Sequence, residues 1–270
     1  MNTTGWIATG IAALGVTAGT LHFTNSAEQL DVRARMMAES ERGVTSRSAT
    51  LASRETLAER SVVVEFFTSQ GCSSCPPSDR LAARLASEDG VLVIQRPVTY
   101  WDRLGWTDTL GKPENTDLQR SYARRGLGGR NGVYTPQAVV AGREGVVGSR
   151  EAELRGMIGQ ARQHLARVTL ENGEKGERTV RIEGAISKGA TVHLVGLDRS
   201  ETVKIGRGEN GGRQVTSTNI WKGERPIGRM AGTDGEFAVA YTVIPGANAY
   251  AVVIREGASG PILGGRLLDS

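Results

Sequence analysis

The chain contains few cysteines, histidines and aromatic residues for its length. Only 2 cysteines and 3 histidines occur among 270 residues, and aromatic residues make up 5%. Disulfide-stapled scaffolds need several spaced cysteine pairs, so this class of protein is excluded. A tetrahedral zinc site needs four ligands, and the histidine spacing does not supply the missing ones. We therefore expect no zinc and no other cofactor.

The chain also lacks a clustered basic segment. Lysine and arginine number 33 against 29 acidic residues, which gives a net charge of +4 and a pI near 9.3. The arginines are scattered among acids, as in residues 151–155. Nucleic-acid binding requires a concentrated basic face, so we expect no nucleic-acid partner.

Charge is absent from the beginning of the chain. No side chain is charged from Met1 to Ala27 apart from the titratable His22. This stretch is just long enough to span a bilayer, although a secretory signal usually has Lys or Arg before its apolar run. We expect residues 1–24 to form a signal peptide or, through residues 3–24, an uncleaved inner-membrane anchor. Either predicts a periplasmic or extracellular protein; a buried helix is the alternative.

The next part of the chain has the pattern of an α/β domain. Residues 25–60 are predicted to be a tether, because their second part is small, polar and non-periodic. Two short apolar runs, residues 61–67 and 91–94, are typical of buried strands, and a helical pattern lies between them. This β–α–β order predicts a parallel strand pair. A helix over residues 151–166 closes the predicted domain, which spans residues 61–166.

After residue 166 the pattern changes. Short apolar runs such as residues 180–182 and 192–195 are separated by turn residues, and several alternate with polar residues. This alternation suits strands with one face in water. We predict that residues 167–270 form an all-β, sandwich-like domain.

Both cysteines lie in one motif, Cys72-Ser73-Ser74-Cys75, between a predicted strand and a predicted helix. A thiol at a helix N-terminus faces unpaired N–H groups and the positive end of the dipole, which stabilise the thiolate. We predict that Cys72 is the nucleophile, with a pKa lowered toward about 3.5–7.5. Cys75, one turn further along, is predicted to be the more buried, resolving thiol.

Two further residues are predicted to belong to this catalytic site. In thioredoxin-like folds a cis-proline loop lies beside the CxxC motif, and we expect Pro136 to serve there through a cis bond to Thr135. Glu65 is the one acid in the apolar strand that leads into the motif. Burial would raise its pKa and allow it to accept a proton from Cys75. These features predict a thioredoxin-like α/β domain followed by the all-β domain.

An aromatic and acidic segment covers residues 100–106. Its side chains Trp101 and Asp102, together with Thr135, are candidates for a substrate groove beside the cysteines. Aromatic clusters of this kind also form packed lids over a core, and the sequence leaves both interpretations open.

A glycine-rich segment covers residues 206–213. It lacks the Gly-Lys-Ser/Thr ending of a phosphate-binding loop, and no helical pattern follows it. We predict a hairpin or interdomain loop that packs Arg207 or Glu209 against the first domain. His193, within an alternating strand pattern, is expected to be structural.

The chain resembles the DUF1223 family of thioredoxin-like proteins. The resemblance spans roughly residues 61–268, and its most specific part is the long segment around the two cysteines. It implies an exported bacterial protein with a thioredoxin-like first half, and the biochemical role of the family is largely undefined. Relatives tend to carry a His and an Asp before Tyr-Trp-Asp, whereas this chain has Arg-Pro-Val-Thr at residues 96–99. The similar segments are residues 64–79, 100–106, 134–137, 206–210 and 260–264.

The favoured function is an exported thiol–disulfide oxidoreductase that uses Cys72 and Cys75. It would act on a thiol- or disulfide-bearing protein and exchange electrons with a redox partner. Two alternatives remain. Two thiolates can hold Cu(I), so the pair could serve a copper carrier. The protein could also be a non-catalytic, partner-binding module in which the disulfide is structural.

Overall fold

The computed structural model describes residues 35–37, 39–40, 53, 55–129, 132–172, 178–184, 186–239 and 244–268. The predicted signal or anchor, residues 1–24, lies outside the described residues, as does most of the predicted tether. The chain divides into two units, residues 1–50 and residues 51–270. No helix within the described ranges is long and apolar enough to cross a membrane.

The second unit consists of strands with a few helices between them. Its longer helices are α1 (Pro76–Ala86), α2 (Pro113–Tyr122) and α3 (Glu151–Ala161). Its strands are β1 (Val62–Thr68), β2 (Val91–Pro97), β3 (Gln137–Val140), β4 (Glu144–Val147), β5 (Arg167–Asn172), β6 (Arg178–Glu183), β7 (Thr191–Lys204), β8 (Gln214–Arg229), β9 (Asp234–Val239), β10 (Ala249–Arg255) and β11 (Ile262–Leu267).

The strands form two sheets. An eight-stranded sheet has the order β11-β10-β7-β8-β2-β1-β3-β4, and a three-stranded sheet has the order β5-β6-β9. The pair β1 and β2 is parallel, as the sequence predicts. The pair β2 and β8 is also parallel, whereas β3, β4, β7, β10 and β11 join by antiparallel pairs.

The predicted fold class is wrong. The chain does not form a thioredoxin-like α/β domain followed by an all-β domain, because strands from both halves share one mixed sheet. The connection is made at β2 and β8, where Gln95 lies opposite Ile220. Strand β2 is buried on both faces, so unpaired backbone groups at its outer edge would be costly, and β8 pairs with it there. The face of Val63 and Leu92 packs against β7, β10 and β11 in one hydrophobic cluster.

The large sheet curls until its ends come close. The amide of Ile262, the first residue of β11, donates to the carbonyl oxygen of Ala141, which directly follows β3, at 2.8 Å. Strand β11 therefore lies near both the far edge of β10 and the end of β3. This curl encloses a core between the first and last strands of the chain.

Helix α1 begins where the disulfide motif ends. Cys75 is its N-cap residue, and Pro76 and Pro77 occupy the first two helical positions, where a missing N–H leaves no bond unmade. Leu81 and Leu85 on its inner face pack against β1, in a cluster that also contains residues of α3. The position of the motif is thus set by the packing of α1 on β1.

Candidate functional site

Cys72 and Cys75 form a disulfide between the end of β1 and the start of α1, with their Cα atoms 5.4 Å apart. The amide of Cys75 donates to the carbonyl oxygen of Cys72 at 3.2 Å. The sequence predicts a more exposed Cys72, but both cysteines are 0% exposed. The adjacent Ser73 and Ser74 are exposed and form the rim of the site.

The loop with Pro136 lies at the same end of β1 as the disulfide. The Thr135–Pro136 bond is cis, as predicted. Gln137, which follows it, lies opposite Phe67, one residue before the end of β1. The ladder between β1 and β3 therefore brings Pro136 beside the segment that leads into the cysteines.

Trp101 connects the proline loop to the disulfide loop. Its Nε1–H donates to Thr135 Oγ1 at 2.8 Å. Its Cβ lies 3.3 Å from the point where a Cβ on Gly71 would be. Two of the three predicted groove residues, Trp101 and Thr135, are thus in direct contact next to Cys72.

Asp102, the third predicted groove residue, forms its hydrogen bond to a residue that lies shortly after it in the chain. Its Oδ1 accepts the amide of Asp108 at 3.1 Å. Trp106 donates from Nε1 to Gln70 Oε1 at 2.9 Å, so the aromatic segment closes on the loop before Cys72. This half-buried segment has features of both interpretations, since it packs like a lid and borders the cysteines.

Asp108 holds the disulfide loop and was missed by the sequence analysis. Its Oδ2 accepts the amide of Gln70 at 2.7 Å, and its Oδ1 accepts the amide of Leu110 at 2.9 Å. Burial raises its pKa, and the nearby Asp102 carboxylate raises it further, against the effect of these bonds. The sequence feature that points to Asp108 is the presence of an acid shortly after the aromatic segment of residues 100–106.

Glu65 lies in a buried ion-pair network. Its Oε1 accepts from Arg96 at 2.7 Å and from Arg255 at 2.8 Å, and its Oε2 accepts from the hydroxyl of Tyr122. Burial by itself raises the pKa of Glu65, but the charges of Arg255 and Arg96 outweigh it and hold the pKa below its usual value. A carboxylate held ionised by two arginines is poorly suited to accept a proton.

Asp79 is a buried acid one helical turn after Cys75. Its amide donates to the carbonyl oxygen of Cys75 at 3.0 Å. Its Oδ1 accepts from Thr68 Oγ1 at 2.7 Å and from Gln95 Nε2 at 2.9 Å. Burial raises the pKa of Asp79 to about 7, and the neighbouring Asp108 carboxylate adds to the rise.

The surroundings of Asp79 open onto a cavity of about 600 Å³. Its walls come from the first turns of α1, with Pro76 and Arg80, and from the beginning of β8 with the preceding Arg213. The sequence analysis missed Asp79. The available signal was its spacing of four from Cys75, which places both residues on one helix face.

The connection between β7 and β8 reaches the disulfide, as the sequence predicts for Glu209. Glu209 Oε2 accepts the amide of Ser73 at 3.2 Å. The next residue, Asn210, is fully buried and donates from Nδ2 to the carbonyl oxygens of Cys72 at 2.8 Å and Gln70 at 2.9 Å. Sequence analysis missed Asn210, because a buried amide inside a glycine-rich loop has no local pattern.

No group of three or more His, Cys, Asp or Glu side chains within the described ranges could hold a metal ion. The predicted structural residue His193 lies in β7, with Nδ1 3.8 Å from Glu224 Oε1. Any copper site would therefore rest on the two thiolates that reduction of the disulfide releases.

Comparison with known proteins leads to one solved structure of similar fold. No curated protein matches the chain significantly. The crystal structure of a protein from Agrobacterium tumefaciens is 28% identical, with a TM-score of 0.64 over 77% of this chain and 93% of that one. The structure of HBP35 from Porphyromonas gingivalis is 14% identical over 77% of this chain and 74% of that one, with a TM-score of 0.48, and supports no inference.

A sequence model of one protein family matches most of the chain. The match covers residues 63–255 and so includes the disulfide, Asp79, the Thr135–Pro136 loop and Asn210. The family is described as a protein of unknown function. The chain belongs to the DUF1223 family.

Proposed function

We propose that the protein is a thiol–disulfide oxidoreductase that acts through Cys72 and Cys75 in the periplasm or outside the cell. The observation that carries this proposal is the disulfide at the N-terminus of α1. Helix amide groups favour a thiolate at this position, and low thiol pKa values are typical of exchange-active cysteines. A non-cytoplasmic location is proposed because disulfides persist in oxidising compartments.

The proposed reaction transfers two electrons and two protons from a substrate dithiol to the disulfide. A substrate thiolate attacks Cys72 Sγ, the Cys72–Cys75 bond breaks, and Cys75 leaves as a thiolate. The second substrate thiol then attacks the substrate sulfur of the mixed disulfide, and Cys72 leaves with the electron pair. The substrate becomes a disulfide and both cysteines become thiols. The reverse sequence reduces a substrate disulfide.

Asp79 is proposed to exchange the proton of Cys75. It lies one helical turn from Cys75, and its pKa of about 7 matches the pH range in which exchange-active thiols titrate. Glu65, held ionised by Arg96 and Arg255, is not part of this proposal. The loop with Thr135 and Pro136 and the side chains of Trp101 and Asp102 are proposed to border the substrate.

The test is a redox titration combined with trapping. The disulfide should equilibrate with glutathione buffers, and Cys75→Ser should accumulate a mixed disulfide on Cys72. The matched variant Cys72→Ser should accumulate much less, because Cys75 is the resolving thiol. A pair that never equilibrates with glutathione would refute the oxidoreductase. Two serine variants that trap equally would refute the assignment of Cys72 as the nucleophile and Cys75 as the resolving thiol.

The second candidate is a partner-binding module with a structural disulfide. The observation that favours it is the complete burial of both cysteines. In that case the double variant Cys72→Ser/Cys75→Ser should lose stability, and the disulfide should not exchange with a protein dithiol. A Cu(I) titration of the reduced protein tests the copper carrier in the same series, since tight one-to-one binding without exchange would favour it.

A further inference from the structure

Asn210 connects the β7–β8 loop to both sides of the disulfide loop. The β7–β8 loop comprises residues 206–213. Within it, Asn210 lies 138 positions after Cys72 in the chain. The two Nδ2 hydrogens bind the carbonyl oxygens of Gln70 and Cys72, while Arg213 donates to Oδ1 at 3.1 Å. The buried carboxamide thus has partners for both donors and for its acceptor, and these hydrogen bonds hold the loop against the disulfide segment.

The same loop contacts the site at two further points. Glu209 accepts the amide of Ser73 inside the motif. Gly206 lies against Trp106, where a Cβ would come within 2.9 Å of the indole ring. Trp106 in turn donates to the side chain of Gln70. The β7–β8 loop therefore holds the segment between Gln70 and Ser73 directly and through Trp106.

This arrangement raises a problem for thiol exchange. An attacking thiolate must reach Cys72 Sγ, yet Cys72 is fully buried. The motif is anchored on one side by α1 and β1, which belong to the core, and on the other side by the β7–β8 loop. Displacing α1 would expose a hydrophobic cluster, whereas displacing the loop breaks a few polar contacts. The loop is the easier side to open.

We propose that Asn210 is a positioning residue that controls the access of thiols to Cys72. Its two bonds to the disulfide loop break before the sulfur becomes exposed. The disulfide consequently reacts slowly with small thiols in solution and faster with a protein thiol that displaces the β7–β8 loop on binding. This inference rests on the proposed function, which supplies its substrate, a protein thiol. The effect of Asn210 on the rate at which a small thiol reduces the disulfide is measurable whether or not that function holds.

The experiment measures the rate at which dithiothreitol reduces the disulfide of the folded protein, read by alkylation and mass. Asn210→Ala should raise this rate about tenfold or more, because two hydrogen bonds that oppose opening are lost. Glu209→Gln, which replaces the charged acceptor of the Ser73 amide by a neutral one, should raise it about two- to fivefold. Asn248→Ala is the control, since the side chain of the exposed Asn248 binds Asp198 and the amide of Arg199. It should leave the rate unchanged.

A further control separates local opening from general loss of stability. Ile182→Ala removes core packing in the three-stranded sheet, far along the chain from the motif. If Ile182→Ala accelerates reduction as much as Asn210→Ala at equal unfolding free energy, the proposal is overturned. It is also overturned if Asn210→Ala folds and leaves the rate unchanged. If Asn210→Ala does not fold, the Glu209→Gln rate decides.

The two proposals fail in different ways. Absence of exchange with glutathione and with protein dithiols refutes the oxidoreductase, even if Asn210→Ala accelerates reduction by dithiothreitol. Conversely, a wild-type protein that exchanges normally, together with an Asn210→Ala variant of unchanged rate, refutes the positioning role alone. The proposed substrate class is tested by comparing two rates of reduction of the disulfide, one by a protein dithiol and one by dithiothreitol. The ratio of the first rate to the second should be lower in Asn210→Ala than in the wild type.

Discussion

The Glu65 carboxylate and the Arg255 guanidinium lie 2.8 Å apart, although 190 positions separate them in the chain. Glu65 belongs to β1 and Arg255 is the last residue of β10. Arg96 and Tyr122 complete the contact, and all four side chains are buried. A pair of this kind forms only when β1 and the end of β10 meet, and these strands are not neighbours in the sheet. The contact therefore depends on the folding of the whole sheet.

We predict that Glu65→Gln lowers the unfolding free energy by about 3–5 kcal/mol, the usual effect of removing one partner of a buried ion pair. The change leaves Arg96 and Arg255 with one fewer counter-charge in the core. Urea unfolding is the measurement. The matched control is Glu236→Gln, which removes an exposed pair with Arg181 and should change the free energy by about 1 kcal/mol or less. Equal effects of the two variants would contradict the prediction.

Acid should unfold the protein through the same network. Burial raises the pKa of Glu224, but the charges of Arg96, Arg255 and His193 and the hydrogen bond from Arg96 together outweigh it and lower the pKa to about 2. The pKa of Glu65 is also lowered. Carboxylates with lowered folded-state pKa values stabilise the protein above pH 4.5, and this stability is lost as the pH falls toward 2. Equilibrium unfolding between pH 2 and 6 should show the loss. Stability that stays constant to pH 2 would contradict it.

Asp79 should give the opposite pH dependence. Its folded-state pKa of about 7 lies above the ordinary aspartate value of 3.8, so the folded protein binds the proton more tightly than the unfolded chain. The free energy of unfolding therefore falls as the pH rises from about 4 to 7. At about 1.36 kcal/mol per pKa unit, the fall is roughly 4 kcal/mol at most. Asp79→Asn should remove this fall. Asp117→Asn, on the exposed face of α2, should leave it in place.

A glycine near the end of the chain should be essential for stability. A Cβ on Gly260 would overlap the carbonyl oxygen of Glu256, so backbone must shift. We expect Gly260→Ala to lower the unfolding free energy by about 3 kcal/mol. Gly156→Ala is the contrasting change, because Gly156 lies in α3 with open space around it. It should raise stability by about 0.5–1 kcal/mol, and the two midpoints in urea should move in opposite directions.

Much of the candidate site was predictable because its signals are local. The position of Cys72 and Cys75 between a strand and a helix follows from apolar runs on each side of the motif. The Thr135–Pro136 segment and the contact of Glu209 were also predicted. Asp79 was missed because its pKa depends on Thr68, Gln95 and Asp108, which come from three separate segments.

Glu65 shows why the rest was not predictable. One acid in an apolar strand indicates a buried charge, and the structure confirms the burial. Its role depends on what surrounds it, and two arginines from β2 and β10 lower the pKa that burial alone would raise. Neither arginine has a sequence pattern that connects it to Glu65.

The sequence by itself determined that the disulfide motif lies between a strand and a helix, and it located β1, β2 and the helices at residues 76–86 and 151–161, since these depend on residue type, periodicity and near neighbours. It could not determine that β2 pairs with β8, and so the predicted division into a thioredoxin-like fold and a separate β fold was wrong. Strand pairing is a contact between distant segments, and an apolar strand accepts any edge of suitable length. Only the tertiary structure decided which distant strands meet, which acid is paired with arginine, and which loop binds the disulfide segment.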